Sequence, residues 1–260
     1  MPKSKGYVSP EYLQRAAAML TPVKLRSYEL MQLGAGKHVL DVGCGAGLDT
    51  IALGHVVGST GSVLGIDHDP EMINEANARA SQAGLSEKVR HQVGDATSLP
   101  LASDQFDACR SERLFMHLND APQALTQMVR VTKSGGWVVV LDLDWGTTSI
   151  DTPEVDVERR LARLRAERML HNGYSGRQLY RMFKDHKLQC VTYEVIPVVT
   201  TDCALARYLG HLDDVERESL NSSIVSPEEL QRWRDSLEHS DQNGTFFATT
   251  NMVIVVGCKP

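Results

Sequence analysis

The stretch from His38 to Asp49, HVLDVGCGAGLD, constrains this chain more than any other. A short apolar run meets Asp41, passes glycines at 43, 45 and 47, and continues with Leu48, Ile51 and Ala52 at helical spacing. Physically this is a strand whose carboxyl end breaks into a tight turn and then a helix. Glycine tolerates positive φ and lets a ligand approach bare backbone, and the helix N-terminus adds free N–H groups. Strand, glycine turn and helix together make a nucleotide-binding corner at the carboxyl edge of a parallel sheet. The expected class is therefore α/β.

Two nucleotide patterns compete for that corner. The dinucleotide fingerprint wants a further glycine at position 48, where Leu48 stands. The pattern present is Gly43-x-Gly45-x-Gly47, with Asp41 two residues ahead. It resembles motif I of the class I methyltransferases, which bind S-adenosylmethionine (SAM). The resemblance implies that the three glycines lie under the methionine part of SAM and that Asp41 helps hold its amino end. The second strand, Ser62 to Asp67, ends in an acid 20 residues after Gly47. An acid there can accept from both ribose hydroxyls. Asp69, ahead of Pro70, caps the next helix and leaves Asp67 free. His68 and Met72 are placed to flank an adenine ring, although Met72 suits the core equally. A third strand, 89–93, leads into Gly94-Asp95-Ala96. By resemblance, Asp95 accepts from the adenine amino group and the Ala96 N–H contacts the ring. SLPLASDQFDAC, before a fourth strand at 106–110, looks like the family's LPF-x-x-x-x-FD signature.

Composition narrows the function classes. A chain of 260 residues with 42% hydrophobic and 23% charged residues fits one α/β domain with an elaboration. No run of about 18 apolar residues exists, so a membrane span is not expected. The MPKSKGYVSP start lacks the apolar core of a signal peptide. The five cysteines are scattered, without C-x-x-C spacing, which argues for a reducing cytoplasm and against a structural zinc. A net charge of −6 gives no support to a nucleic-acid binder.

Other segments bear on the site. Ser9-Pro10-Glu11 starts a helix to Met19, and a second helix after Thr21-Pro22 runs through Leu33. In the family such an N-terminal helix covers SAM, and a basic or tyrosyl side chain meets the methionine carboxylate. Among Tyr12, Arg15, Lys24, Arg26 and Tyr28, Arg26 is the choice, with a solvated face as the alternative. After the fourth strand, SERLFMHLND places Ser111 against the cofactor and His117 near the acceptor. A neutral imidazole there can take a proton from an acceptor hydroxyl, or simply pack. Lys133-Ser134-Gly135-Gly136 resembles the family's K/R-P-G-G turn into a fifth strand, 137–143. Asp142 and Asp144 leave that strand on one face. Asp144 is the candidate base or hydrogen-bond acceptor, with loop capping as the alternative.

Residues 153–170 read as a helix carrying Arg159, Arg160, Arg163, Arg165 and Arg168, interleaved with acids as on a solvated face. Ser175 to Gln178 and Ser226 to Glu229 both read as capping boxes. A helix from Cys203 to about Glu218 and a second from Ser226 fill the unusually long connection 200–246. Connections of that length are usually functional.

The sequence is thus identified as a class I SAM-dependent methyltransferase, similar to the quinone-biosynthesis C-methyltransferases. The expected architecture is a Rossmann-like, doubly wound, seven-stranded, mostly parallel sheet with an added helical cap. Residues 1–33 form the N-terminal part of the cap. Residues 34–260 form the SAM domain, with cap insertions at about 146–174 and 200–246. Tyr174, Tyr208 and His211 are candidate pocket residues, and Trp233 packs over the acceptor if the second insertion is a lid. A homodimer interface is that insertion's competing use. The expected reaction moves a methyl group to an O, N or C atom of a small-molecule acceptor in the cytoplasm. No metal, nucleic acid or membrane span is expected. The alternatives are a SAM-binding protein that does not methylate, a methyltransferase acting on a macromolecule and, disfavoured by Leu48, a nicotinamide oxidoreductase.

Overall fold

Seven strands form one sheet: β1 (His38–Val42), β2 (Ser62–Asp67), β3 (Val89–Val93), β4 (Phe106–Glu112), β5 (Thr132–Ile150), β6 (Gln189–Thr200) and β7 (Ala248–Cys258). The computed structural model describes residues 9–260. Residues 1–8 of the expected N-terminal cap segment lie outside the described residues. The strand order is β3-β2-β1-β4-β5-β7-β6. The first five strands pair in parallel, and β7 runs antiparallel to β5 and β6. Because β1 pairs with both β2 and β4, the connections diverge at its carboxyl end and open a crevice there.

Alternation along the strands divides the core. Val39, Val139 and Leu141 face one side, packed with Leu20, Val23 and Leu53. Leu40, Val138 and Val140 face the other, packed with Leu125, Met128 and Phe183. The first layer is made by α1 (Pro10–Leu30), α2 (Leu48–Val56) and α3 (Pro70–Gln82). The second is made by α4 (Ala121–Val131) and α6 (Ser175–Asp185), α5 (Val155–Leu164) lying between them in sequence. A third apolar cluster gathers Ile150, Val157, Leu161, Trp233, Leu237 and Phe246. It joins α5 to the helices of the long connection, α7 (Cys203–Gly210), α8 (Leu212–Asn221) and α9 (Pro227–Gln242).

Several elements differ from the sequence expectation. The N-terminal segment is one helix running through Pro22, not two. An interior proline costs about 3 kcal/mol, yet Leu20, Val23 and Met31 on the same helix flank are buried. At roughly 1.5–3 kcal/mol for each such side chain, burial wins. Conversely, the helix expected from Cys203 breaks at His211, whose φ is +49°. Strand β5 reaches Ile150, with a register shift beyond Asp144. Ser226 and Glu229 form the expected capping box. Ser175 does not: it is the first residue of α6, and its hydroxyl reaches the Leu143 carbonyl at 3.5 Å.

Candidate active site

A cavity of about 370 Å³ opens at the carboxyl edge where β1, β2, β4 and β5 end. Its first wall is the glycine turn. The N–H groups of Gly43 and Cys44 both donate to the Ile66 carbonyl, at 2.7 and 3.0 Å, folding the turn back on β2. Gly45 holds φ +50° and donates its N–H to Asp67 Oδ2 at 2.9 Å. The other Asp67 oxygen accepts from the Asp69 N–H at 3.0 Å. Burial works to raise the Asp67 pKa, but hydrogen bonds from His68, Asp69 and Gly45 together hold it below the ordinary value. The carboxylate is therefore ionised and fixed at the cavity wall, with His68, Asp69 and Met72 beside it.

Next to the turn lies a closed set of charges. Arg110 reaches Glu112 at 2.5 Å, Asp41 at 3.3 Å and Asp49 at 3.4 Å. Lys24 bridges Asp49 at 2.6 Å and Glu112 at 2.7 Å. Arg113 adds a contact to Glu112 at 3.1 Å, and the Tyr28 hydroxyl donates to Asp49. Burial alone would raise the Glu112 pKa, but Lys24, Arg110 and Arg113 hold it well below the carboxylate range. Asp41 moves the other way: burial is the largest influence and raises it, against the pull of Arg110. Arg110 is fully buried. Ion pairs so deep repay their desolvation only when every partner is present.

The far half of the cavity is built differently. Met116 and His117 come from a short 3-10 turn after β4, and Leu143 and Trp145 come from β5. The Trp145 indole N–H donates to Met116 Sδ at 3.1 Å, which fixes the ring. Burial, and then the cationic neighbours Arg113 and Arg165, push His117 down to about 4. Its imidazole is neutral at physiological pH. Arg165 opens a π-helical turn (Arg165–Met169) directly after α5, and its guanidinium sits 3.7 Å above the Trp145 ring. The roof joins α1 to the insertion: the Tyr12 hydroxyl donates to the Leu209 carbonyl at 2.9 Å, and its ring stacks on His211.

Of the residues expected from sequence, Asp41, Gly43, Gly45, Asp67, His68, Met72, His117 and His211 line this cavity. Others do not, each for a definite reason. Arg26 points outward to Glu194 and Glu29. On a helix, two residues turn the side chain by about 200°, so Lys24 faces in and Arg26 faces out. Gly47 is a packing residue, because a Cβ there would lie 2.8 Å from the Ala76 Cβ on α3. Ser111 alternates with Arg110 and Glu112, so it faces away from the cavity, buried and without a hydrogen-bond partner. The Asp95 carboxylate folds back on the Thr97 N–H and hydroxyl, both at 2.8 Å, and Ala96 packs in the core. Asp144 binds Arg177 at 2.6 Å, on the strand face opposite Leu143 and Trp145. Tyr174 bonds Glu167, and Tyr208 packs on Tyr12. Trp233 is the centre of the third cluster, with its indole N–H on Glu216, and is no wall of the cavity.

Sequence reasoning did not single out Arg110, Asp49 or Trp145 as lining residues, and it read Arg165 as one of a solvated row. One signal was available: Arg110 and Glu112 stand two residues apart on one face of β4, after the apolar Ala108 and Cys109, and charges buried there need partners.

A protein-family profile for methyltransferase domains matches residues 33–208. An uncharacterized 37.1 kDa protein of a Streptomyces fradiae transposon is 32% identical over 253 residues, covering 95% of this chain and 71% of the relative. A 2-phytyl-1,4-naphtoquinone methyltransferase of Synechococcus elongatus is 37% identical over 108 residues, 42% of this chain and 46% of the relative. The crystal structure of a geranyl diphosphate C-methyltransferase from Streptomyces coelicolor, solved with S-adenosyl-L-homocysteine, superposes with a TM-score of 0.60. That match is 17% identical, covers 92% of this chain and 76% of the other, and speaks for the fold.

Proposed function

This chain belongs to the methyltransferase-domain family and uses S-adenosylmethionine, and from that premise we propose that it methylates a small organic acceptor in the far half of the cavity. The observation that carries this reading is the continuity of one cavity from Asp67 and the glycine turn to His117 and Trp145.

The residues of the first half suit the cofactor. Asp67 Oδ2 accepts one backbone bond, from Gly45, and keeps a lone pair for a ribose hydroxyl, while the Asp69 N–H and His68 share Oδ1. The Lys24 ammonium has three donors and spends two on Asp49 and Glu112, leaving one for a carboxylate. Asp41 and Glu112 lie at hand for an amino group. When bound, SAM supplies a methyl group already activated on its sulfonium.

The remaining work is done by this chain. Met116, Leu143 and Trp145 exclude water from the reacting pair and hold the acceptor in line. His117, neutral because of burial and its cationic neighbours, presents a lone pair to an acceptor O–H or N–H. A value of about 4 makes it an orienting acceptor rather than a store for the proton. Residues 9–33, the described part of the N-terminal segment, serve as the cap with segments 146–174 and 200–246. This reading is supported by the Tyr12–Leu209 bond across the roof. Among the described residues no helix is long and apolar enough to cross a membrane, and the net charge of −6 favours a small acceptor over a nucleic acid.

Calorimetric titration with S-adenosylhomocysteine should give one site per chain. Incubation with methyl-labelled SAM and a panel of acceptors should yield S-adenosylhomocysteine and a labelled product together. A chain that binds no S-adenosylhomocysteine overturns the reading. One that binds SAM yet never yields S-adenosylhomocysteine would be a non-methylating binding protein.

A further inference from the structure

Arg165 stands apart from its neighbours in the arginine-rich segment. Arg159 pairs with Glu158 and the Thr148 carbonyl. Arg160 pairs with Asp156 and Glu229, and Arg163 with Glu167. These three lie on the solvated side of α5 and follow the ordinary logic of i,i+4 and interhelical pairs.

Arg165 is 6% exposed and lines the cavity. Its Nε is buried without a hydrogen-bond partner, and among the described residues no acid lies within ion-pair distance of its guanidinium. Trp145 covers one face of the group. A stacked ring satisfies the face of a guanidinium but leaves the N–H edge unused. Asp214, the acid of the lining whose charge acts on Arg165, is half exposed and committed to Arg217 at 2.9 Å. Burial pulls the Arg165 pKa down to about 10, with only weak opposition from Tyr12 and Asp214, as expected of a desolvated cation lacking a counterion.

The surroundings narrow the counterion further. Met116, Leu143, Met169 and Leu170 give this half of the cavity apolar walls, while Arg113, His117 and His211 add to Arg165 on its polar side. The backbone also departs from α geometry at this residue, where the π turn begins. Turns of that kind inside helices are frequent at functional sites.

We propose that Arg165 is the acceptor-recognition residue of the site and that the acceptor is an amphipathic organic anion, its carboxylate or phosphate group held edge-on by the guanidinium and its apolar body lying against Trp145. The fork of N–H donors matches the planar or tetrahedral oxygens of such groups. The proposal rests on the reading of this cavity as the methyl-transfer site.

The test uses the full chain with three aryl probes: benzoate, phenyl phosphate and neutral benzamide. Thermal shift in saturating S-adenosylhomocysteine should show stabilisation by benzoate or phenyl phosphate and much less by benzamide. The stronger anion of the two identifies the headgroup. In Arg165→Gln the affinity for that anion should fall on the order of tenfold to a hundredfold, and Arg165→Lys should recover part of it. S-adenosylhomocysteine affinity, read by calorimetry, should be equal in all three proteins. Its loss from the wild type would defeat the methyltransferase reading and not this assignment. Benzamide binding as well as the anions, absence of any anion-dependent shift in the wild type, or an unchanged anion affinity in Arg165→Gln would each overturn the assignment.

A second readout needs no ligand. Removing an uncompensated buried cation should raise Tm, by roughly 2–4 °C, in Arg165→Met. A lowered Tm would mean that the stack on Trp145 is structural, and would count against the proposal.

Discussion

The two halves of the cavity handle charge in opposite ways. Around the glycine turn, Asp41, Asp49 and Glu112 are matched by Lys24, Arg110 and Arg113, each within reach of an opposite charge. Around Trp145, a buried arginine meets only an aromatic face. The first half is complete as protein and can orient a ligand that carries both signs of charge. The second is incomplete as protein, and its electrostatics are satisfied only when something else enters. The difference teaches where to look for specificity. A balanced network can serve any member of a family, whereas an unbalanced one selects its partner.

The largest effect is expected where balance is broken in the first half. Arg110→Met leaves Asp41 buried without its main cation and Glu112 with only Lys24 and Arg113, and should cost about 3–5 kcal/mol, measured by urea unfolding. A loss under about 1 kcal/mol would mean that these acids take up protons at little cost and that the network is not closed.

Trp233→Ala should cost a similar 3–5 kcal/mol by opening the third cluster. That cluster holds up the helices bearing Arg165 and His211 and lies away from the cofactor side. S-adenosylhomocysteine affinity should therefore stay near wild type well below the variant's Tm. A parallel fall in affinity at a temperature where circular dichroism shows it folded would dissolve the separation between the halves.

Asp67→Ala acts in the first half without breaking its charge balance. Losing the ribose partner should cost roughly 1.5–3 kcal/mol of binding, about ten- to 150-fold in affinity. Unchanged calorimetry would remove Asp67 from the site.

The last effect is graded, and concerns pH. His117 has a folded pKa of about 4 against an ordinary 6.5. The unfolded chain therefore binds more protons between those values, and stability is lost as pH falls from 6.5 toward 4, by at most about 1.4 kcal/mol per pH unit for this group. Above pH 6.5 its contribution is constant. His91, lowered to about 4 by burial, adds a parallel loss. Asp41 and Asp142, raised to about 7 by burial, titrate in the same window with the opposite sign, so the test is a difference: His117→Gln should remove up to about 1.4 kcal/mol per pH unit of the acid-side loss in urea titrations. A slope equal to wild type would show that His117 titrates normally in the fold.

How much of this was legible beforehand follows from the range of each interaction. His38 to Asp49 showed the corner, because a glycine turn between a strand and a helix is a local necessity. The positions of Asp67, His68 and Met72 followed from βα spacing. The acids after β5 illustrate the limit. Period two shows that Asp142 and Asp144 share a face, but not which face meets the cavity. That was decided by α6, which packs Gly176 against the Asp142 carbonyl and supplies Arg177 to Asp144. Lys24 and Arg26 pose the same problem on a helix, resolved by where α1 lies on the sheet.

The sequence by itself determined the α/β class, the sheet with its nucleotide corner, and the family, since these rest on backbone propensities and spacings within about 30 residues of one another. Only the tertiary structure decided which charges are paired. Arg110 finds Asp41 through strand pairing, and Lys24 finds Glu112 because α1 crosses the crevice. The arginines of the α5 segment look alike in sequence, and Arg165 differs only because the chain brings Trp145 and no acid to it. Charge pairing is a property of distances across the fold, and a one-dimensional pattern carries no such distances.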